Sequence, residues 1–426
     1  MGSPLEEKLR KRIEPALYKG RVIPQARKAQ ENAVRAIRAR GHASVVFIAS
    51  SLPMWRAQKL FALLRADARF DVHLALYPFA SFQQAQKQKA MAELVEYCNA
   101  NDLPYIDLSG EQQPGATLKR QLHPDILFYP QPYNFLFGND LDATFFPESL
   151  ICYIPYSIRT STGEWVYRTH LNEIAWRLYY ASDLHRKEAE RILYNKGRNI
   201  RVTGDLMMDI LREPAATDVW KPQDRPKKRI IWAPHYSIAT NGPLHRNSFT
   251  WLSTSIARLA REYEDRLQFA FKPHPRLLTE LYAHPLWGKE KADAYYRCWA
   301  QGANTQLVTG SYVDLFKTSD AMIHDSGSFS IEYHFTGKPV MFTTHDLDAS
   351  LAGQNELGQE GILAHYLGQS EEDIVSFLEN VVLGGFDFRK DVRATFLNTY
   401  LPASGNGTVA EAIYRDILEG LGFDAR

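Results

Sequence analysis

The chain has almost no excess of charge of either sign. Its 426 residues carry 50 Lys and Arg against 49 Asp and Glu, which gives a formal net charge of +1. A protein that binds nucleic acid through its phosphates needs a strongly basic surface. The overall balance therefore argues against a nucleic-acid partner.

Cysteine is scarce, and so are long apolar runs. The three cysteines, Cys98, Cys152 and Cys298, stand far apart, so they form neither a metal-binding spacing nor a disulfide framework. No apolar run approaches the roughly 20 residues that cross a bilayer, and the start of the chain lacks the apolar core of a signal peptide. We therefore expect a protein of the reducing cytoplasm.

One local asymmetry interrupts the charge balance. Residues 1–40 hold eleven Lys or Arg against four Glu. The basic side chains nearest the start are Lys8, Arg10, Lys11, Arg12, Lys19 and Arg21. Apolar residues recur between them, and a basic amphipathic helix can rest on an anionic membrane surface. Two interpretations stay open: a solvated helical lead-in to the first strand, or peripheral contact with the inner face of the cell membrane.

Short apolar runs alternate with helical patterns in both halves of the chain. This alternation predicts parallel strands that are covered by helices on both faces. Pro214, Pro222 and Pro226, with many charges around them, indicate a linker between the halves. We predict a first domain over 1–212, a linker over 213–228, a second domain over 229–405 and a C-terminal helix over 406–426.

The predicted fold class is therefore α/β, with two doubly wound Rossmann-type domains facing a cleft. This architecture resembles that of the GT-B glycosyltransferases. The last helix is a candidate to pack back on the first domain.

The first candidate for a binding site is the segment 323–332, Ile-His-Asp-Ser-Gly-Ser-Phe-Ser-Ile-Glu. It joins a predicted strand to a predicted helix through a turn of small residues. Backbone N–H groups at a helix start lack internal partners and lie at the positive end of the helix dipole, so such turns bind anions. We therefore expect Asp325, Ser326, Gly327 and Ser328 to hold a phosphate group. A capped helix without a ligand stays open as the alternative.

Two further strand ends carry candidate ligands. His274 stands between two prolines after the predicted strand 267–271, and these prolines restrict the backbone so that Lys272 and His274 are held rigidly. The predicted strand 230–233 ends in Pro-His-Tyr-Ser, which adds His235. Ligands of doubly wound folds bind beyond the carboxyl ends of the strands, so we predict that these groups converge on one site.

Several segments of the second half match a family pattern. They are Ile230-Ile231-Trp232-Ala233-Pro234-His235, Phe271-Lys272-Pro273-His274-Pro275, Asp325-Ser326-Gly327-Ser328 with Glu332, and Gly337-Lys338-Pro339-Val340. In order and spacing they resemble the nucleotide-binding half of the CDP-glycerol glycerophosphotransferases, which are teichoic-acid and capsule polymer transferases. Gly204-Asp205, with Asp209, is similar to the Gly-Asn-x-x-x-Asp segment that ends their first domain. The resemblance covers roughly residues 199–345.

The resemblance implies roles for these residues. We call the turn 325–328 the cradle. Its serines and His274 would hold the donor diphosphate, and Glu332 would bind the ribose hydroxyls. In the family, a Trp-His-Gly sequence on the acceptor side supplies the base that deprotonates the acceptor. This chain has Pro155-Tyr156-Ser157 at the corresponding place. The residues that could replace the missing base are His170, Glu164, Asp183 and His235.

The leading interpretation is a transferase. It would move a glycerol-phosphate unit, or a related polyol-phosphate or sugar, from CDP-glycerol or another nucleotide-activated donor. The acceptor would be a cell-surface polysaccharide or a teichoic-acid-like molecule, either a surface polymer or a lipid-linked one. One alternative is an isomerase similar to the UDP-N-acetylglucosamine 2-epimerases, whose cradle also has a glutamate six residues after a serine, as Glu332 follows Ser326. Another is a non-catalytic nucleotide-binding scaffold. Because no Asp-x-Asp pair directly follows a predicted strand, we expect neither a metal nor a cofactor.

Overall fold

The chain divides into two compact units. Unit 1 comprises Met1–Ser157, Gly163–Leu206 and Ala403–Arg426, and unit 2 comprises Ile158–Thr162 and Met207–Pro402. The structure is a computed structural model that describes residues 13–133, 137–238, 248–402 and 407–424.

The sheet of unit 1 has seven parallel strands in the order β3-β2-β1-β4-β5-β6-β7. They are β1 (Ala43–Ala49), β2 (Phe70–Leu76), β3 (Tyr105–Asp107), β4 (Ile126–Tyr129), β5 (Leu150–Tyr153), β6 (Arg177–Tyr180) and β7 (Ile200–Val202). Phe47 of β1 stacks on Phe128 of β4 with ring centroids 4.2 Å apart. Interior strands such as β1 and β4 are buried on both faces, which is why they stand out as continuous apolar runs.

The helices of unit 1 include the last helix of the chain. They are Ile23–Arg40, Gln58–Arg65, Gln84–Ala100, Pro114–Leu122, His170–Ile174, Asp183–Ile192 and Val409–Leu421. A π-helical turn, Tyr18–Val22, leads into the first of them. Asp416 of the last helix accepts hydrogen bonds from Arg177 Nε at 2.8 Å, Arg201 Nε at 2.7 Å and the Tyr179 hydroxyl at 2.9 Å. These bonds tie the last helix to β6 and β7, so its predicted packing on the first domain is confirmed.

The sheet of unit 2 has six parallel strands in the order β10-β9-β8-β11-β12-β13. They are β8 (Lys228–Ala233), β9 (Leu267–Phe271), β10 (Thr305–Leu307), β11 (Ala321–His324), β12 (Val340–Thr343) and β13 (Tyr366–Gly368). The sequence pattern did not indicate β13, because an edge strand of three residues carries no apolar run. The predicted fold class, α/β with two doubly wound sheets, is confirmed.

Helices cover the sheet of unit 2 and enclose an aromatic core. They are Ser248–Glu262, Leu277–Ala283, Gly288–Gln301, Val313–Thr318, Phe329–Glu332, Leu347–Ala352, Glu356–Leu363, Glu371–Ser376 and Lys390–Tyr400; the helix Leu206–Arg212 lies where the chain passes from unit 1 to unit 2. Trp232 of β8 is fully buried, and its ring centroid lies 5.0 Å from that of Phe271 and 5.5 Å from that of Trp299. This core fixes the strands whose ends carry the candidate ligands.

The segment 213–228, predicted as a linker, lies along unit 2. Trp220 is buried, and its Nε1 donates to the Thr318 hydroxyl at 3.0 Å. Gln268 of β9 donates through Nε2 to the Lys221 carbonyl at 2.7 Å. The prolines and charges of this segment therefore mark a loop that follows the surface of one unit.

The predicted basic start of the chain is only partly described. Lys19 and Arg21 are exposed, whereas Lys8, Arg10, Lys11 and Arg12 lie outside the described residues. Within the described ranges, no helix is both long and apolar enough to cross a membrane.

Candidate functional site

Three neighbouring strands of unit 2 end at the same level. Strands β9, β8 and β11 are adjacent, Phe271 pairs with Trp232, and Trp232 pairs with Ile323. Lys272 and His324 follow directly and lie two strand spacings apart, roughly 10 Å between backbones. The chain leaves β8 on one side for β9 and later places β11 on the other side, which is the switch point where doubly wound folds bind ligands. The structure therefore brings the three predicted strand ends together.

Lys272 is a buried cation at this edge. Lys272 is only 6% exposed, and this burial lowers the pKa of its ammonium group to about 8. Among the described residues, no carboxylate lies within ion-pair distance of its ammonium group, and the group makes no hydrogen bond. Burying a charge without a partner is costly. An anionic ligand would supply the missing partner.

Two histidines beside Lys272 present N–H groups. His274 accepts the Arg276 N–H at Nδ1 over 3.1 Å, and burial, with the nearby charges of Arg276 and Lys272, lowers its pKa to about 4. His235 accepts the Ser237 N–H at Nδ1 over 3.2 Å. In a neutral ring whose Nδ1 accepts, the proton lies on Nε2. The Nε2–H of His274 is thus arranged to donate to an anion.

Two neighbours of these histidines were missed by the sequence analysis. The ring of Tyr236 forms a triangle with those of His235 and His274, with centroids 4.3 and 4.5 Å away, and the Arg276 guanidinium stands 4.2 Å over the Tyr236 ring. Arg276 adds a second positive charge close to Lys272 and His274. The alternation Lys-Pro-His-Pro-Arg at 272–276 could have indicated it, since every second residue there is basic.

The role predicted for Asp325 needs correction. Its carboxylate is fully buried and accepts the His235 N–H at 2.6 Å and the Ser248 N–H at 2.9 Å. It therefore ties the turn after β8 to the start of the helix Ser248–Glu262. A buried carboxylate that is already bonded in this way positions the other groups and does not contact a phosphate itself.

A pair of buried histidines fixes the first turn of the cradle. The Ser326 N–H donates to His324 Nδ1 at 3.1 Å, so the His324 proton lies on Nε2, which is 3.2 Å from His365 Nε2. His365 in turn donates from Nδ1 to the Gly361 carbonyl. Burial, followed by the nearby rings of His334 and His324, holds the pKa of His365 well below its usual range. The Ser326 N–H is therefore used inside the protein.

The remaining cradle donors include two hydroxyl groups. The helix after the turn has only four α-helical residues, Phe329–Glu332, before it narrows to a 3-10 segment, Tyr333–Thr336. Its dipole is correspondingly weak. The hydroxyls of Ser326 and Ser328 have no hydrogen-bond partner in the part of the chain that the structure describes. With Gly327 between them, they are available to bind a phosphate.

Glu332 lies one turn further on and is fully buried. The Tyr312 hydroxyl donates to its Oε2 at 2.7 Å. Contact of this carboxylate with ribose hydroxyls stays a prediction.

The base candidates of unit 1 lie at different ends of its strands. Glu164 forms an ion pair at 2.9 Å with Arg191, at the end of the helix that leads into β7. His170 begins the short helix before β6, and the Tyr18 hydroxyl is 2.9 Å from its Nδ1; burial lowers its pKa. Both are therefore near the amino ends of the strands. Asp183 follows the carboxyl end of β6. Its side chain is exposed and forms an ion pair with a neighbouring arginine.

The structure offers little for a metal. The described residues include no group of three His, Cys, Asp or Glu side chains that could hold an ion. An Asp-Leu-Asp sequence lies at 346–348, three residues after β12 ends. Asp346 accepts the Ala349 N–H at 2.9 Å and so caps the helix Leu347–Ala352.

The fold is similar to that of several solved structures. No protein-family model and no curated protein matches the sequence. A variant of the wall teichoic acid polymerase TagF matches with a TM-score of 0.60 and 12% identity over 98% of this chain and 98% of that chain. The S. aureus MnaA–UDP structure matches with a TM-score of 0.56 and 16% identity over 90% and 98% of the two chains. The UDP-GlcNAc 2-epimerase of Neisseria meningitidis, bound to UDP-GlcNAc, has a TM-score of 0.53 and 14% identity over 88% and 100%.

The likeness is one of fold. It supports the GT-B-like class expected from the sequence.

Proposed function

We propose that the protein is a transferase that moves a glycerol-phosphate unit, or a related polyol-phosphate or sugar, from a CDP-linked or other nucleotide-activated donor. The acceptor would be a cell-surface polysaccharide or a teichoic-acid-like chain, free or lipid-linked. The observation that carries this proposal is the buried cation Lys272, which has no anionic partner among the described residues and lies close enough to His274 for its charge to help lower the pKa of that ring. The diphosphate of an activated donor is an anion that fits both groups.

The proposed reaction asks these groups to hold charge. With a nucleotide-glycerol donor, an acceptor hydroxyl attacks the distal phosphorus, a new P–O bond forms, and the P–O bond to CMP breaks. The hydroxyl proton passes to a base, which we do not place on His235 or His274 because their Nε2 atoms already carry protons. CMP leaves with negative charge, which Lys272, the histidine N–H groups and the cradle serines would stabilise.

Two findings support this choice. The residues that line the edge are those on which the resemblance to the glycerophosphotransferases rests. In addition, the TagF structure soaked with CDPG matches with a TM-score of 0.57 over 99% of this chain.

An isomerase that acts on a UDP-linked amino sugar is the second candidate. The six-residue spacing from Ser326 to Glu332 favours it, as does the likeness to epimerase structures that hold UDP or UDP-GlcNAc. In unit 1, however, β5 leads to Pro155-Tyr156-Ser157, where the epimerases carry an acidic turn. A non-catalytic scaffold would share the donor site alone.

A donor panel separates the candidates. Calorimetric titration with CDP-glycerol, CDP, UDP-GlcNAc and GDP-mannose identifies the nucleotide, and phosphorus NMR follows the donor during incubation. The proposal expects tight binding of a cytidine donor and slow release of CMP, which the Lys272→Met variant should lose. Conversion of UDP-GlcNAc to its 2-epimer would instead establish the isomerase. Binding without turnover of any donor, even with anionic polyol-phosphate acceptors present, would leave the scaffold.

A further inference from the structure

Unit 1 contains a groove near the amino ends of strands β6 and β7. The groove has a volume of about 820 Å³ and lies between the N-terminal helix and the turn before β7. Its floor includes Ile23, Val34 and the buried indole of Trp176, which directly precedes β6. This volume lies within the range of roughly 300–1,000 Å³ that is typical of ligand pockets.

The walls of the groove carry unbalanced positive charge. Lys19 and Arg27 stand on the helical wall, and Lys196 and Arg198 stand on the opposite wall. None of the four side chains has an ion-pair or hydrogen-bond partner within the described ranges. Two carboxylates also line the groove. Glu173 is buried and occupied by the backbone N–H groups of Tyr194 and Asn195 at 2.7 and 2.9 Å, and Glu31 stands on the helical wall, so the cations still outnumber the anions. The groove therefore attracts anions.

The length of the positive wall indicates a chain. Lys19, Arg27 and Arg35 line the same groove at intervals of eight residues. At the helical rise of 1.5 Å per residue they extend over about 24 Å, which exceeds the size of a single phosphate several-fold. The groove is also concave, whereas the surface of a bilayer is flat on this scale. A flexible chain that carries anions at intervals fits both properties.

We propose that this groove binds a soluble linear polyanion, a chain with several phosphate groups. The inference is independent of the donor site in unit 2, because it uses only residues of unit 1. Charge complementarity supplies the attraction.

The test uses short-chain polyphosphate as the probe. Calorimetry at low salt is performed in the Lys272→Met background, which weakens anion binding at the donor site of unit 2. The paired substitution Arg27→Glu with Lys196→Glu changes one cation on each wall and should weaken polyphosphate binding at least about tenfold, because two attractions become repulsions. Inorganic phosphate should bind far more weakly than the chain.

A matched control has the same change in net charge outside the groove. Lys28→Glu with Lys187→Glu alters two exposed lysines that do not line it, one of them adjacent to Arg27. This control should change affinity by no more than about threefold through long-range screening. Equal weakening by both pairs would overturn the proposal, as would the absence of polyphosphate binding. Vesicles of phosphatidylglycerol that bind through Arg27 and Lys196, and displace the chain, would overturn it in favour of a membrane.

Discussion

The replacement Lys272→Met separates a ligand-binding lysine from a structural one. Burial lowers the pKa of Lys272 from its ordinary 10.5 to about 8, and the residue is only 6% exposed. A shift of this size corresponds to a penalty on the order of 3 kcal/mol for holding the charge in the folded protein. Methionine fills a similar volume without that penalty. We therefore expect Lys272→Met to raise the free energy of unfolding at pH 7, by at most that amount.

The same replacement should weaken nucleotide binding. A lost hydrogen bond between charged groups costs about 1.5–3 kcal/mol, which is roughly a tenfold to 150-fold loss of affinity. Calorimetric titration with the preferred nucleotide and denaturant unfolding of the free protein measure the two effects. A gain in stability with a loss of affinity is the result expected of a lysine whose partner is a ligand.

The pH dependence follows from the same lysine. Its folded pKa of about 8 lies below the unfolded value, so between the two the unfolded chain binds more protons and the stability of the free wild type rises with pH. The bound anion favours the protonated lysine, so nucleotide affinity should be greatest below pH 8 and fall as the pH rises beyond it. Lys272→Met should lose this fall.

Lys338 provides the control. Burial also lowers its pKa to about 8, but its ammonium donates to the Phe316 and Lys317 carbonyls at 2.9 and 2.6 Å. Lys338→Met leaves these carbonyls without a donor, so it should destabilise the protein and leave nucleotide affinity unchanged. Wild-type affinity in Lys272→Met, or a loss of stability equal to that of Lys338→Met, would refute the assignment of Lys272.

Four further expectations concern other residues. Ser326→Ala and His274→Ala should each lower donor affinity about tenfold or more in calorimetry, with unchanged thermal unfolding; wild-type affinity in both would remove the cradle from the site. Glu332→Gln should weaken binding of a ribonucleotide more than of its 2′,3′-dideoxy analogue, since only the former offers hydroxyls, and equal losses would make Glu332 a structural residue. Turnover should persist in EDTA, and its loss in chelator with recovery on adding magnesium would contradict charge balance by protein groups alone. Asp416→Asn should reduce hydrogen-exchange protection of the helix Val409–Leu421, because three donors on β6 and β7 lose a charged acceptor; unchanged protection would show that apolar packing alone holds the helix.

Local sequence was sufficient to predict the strands and the residues at their ends. Apolar runs such as Ile230–Ala233 and Leu267–Phe271 are buried on both faces, and this double burial produces a pattern that can be recognised without knowledge of the fold. Small or basic residues after such runs, Ser326 and Lys272 among them, indicated an anion site. The edge strand β13 escaped notice, because Tyr366–Gly368 is short and ends in glycine, and so forms no apolar run.

Partners distant in the sequence were decided only by the tertiary structure. The position of Asp325 in the sequence is compatible with a phosphate ligand. In the structure, however, its carboxylate accepts hydrogen bonds from the N–H groups of residues about 80–90 positions earlier. Glu164 and His170 looked like possible bases, but the path of the chain places them near the amino ends of the strands. That no described residue pairs with the Lys272 ammonium is equally invisible in the sequence. Burial and the pairing of charges depend on which strands become neighbours, and long-range packing decides that. A pattern of apolar and polar residues records only whether each residue prefers water, so it does not contain this information.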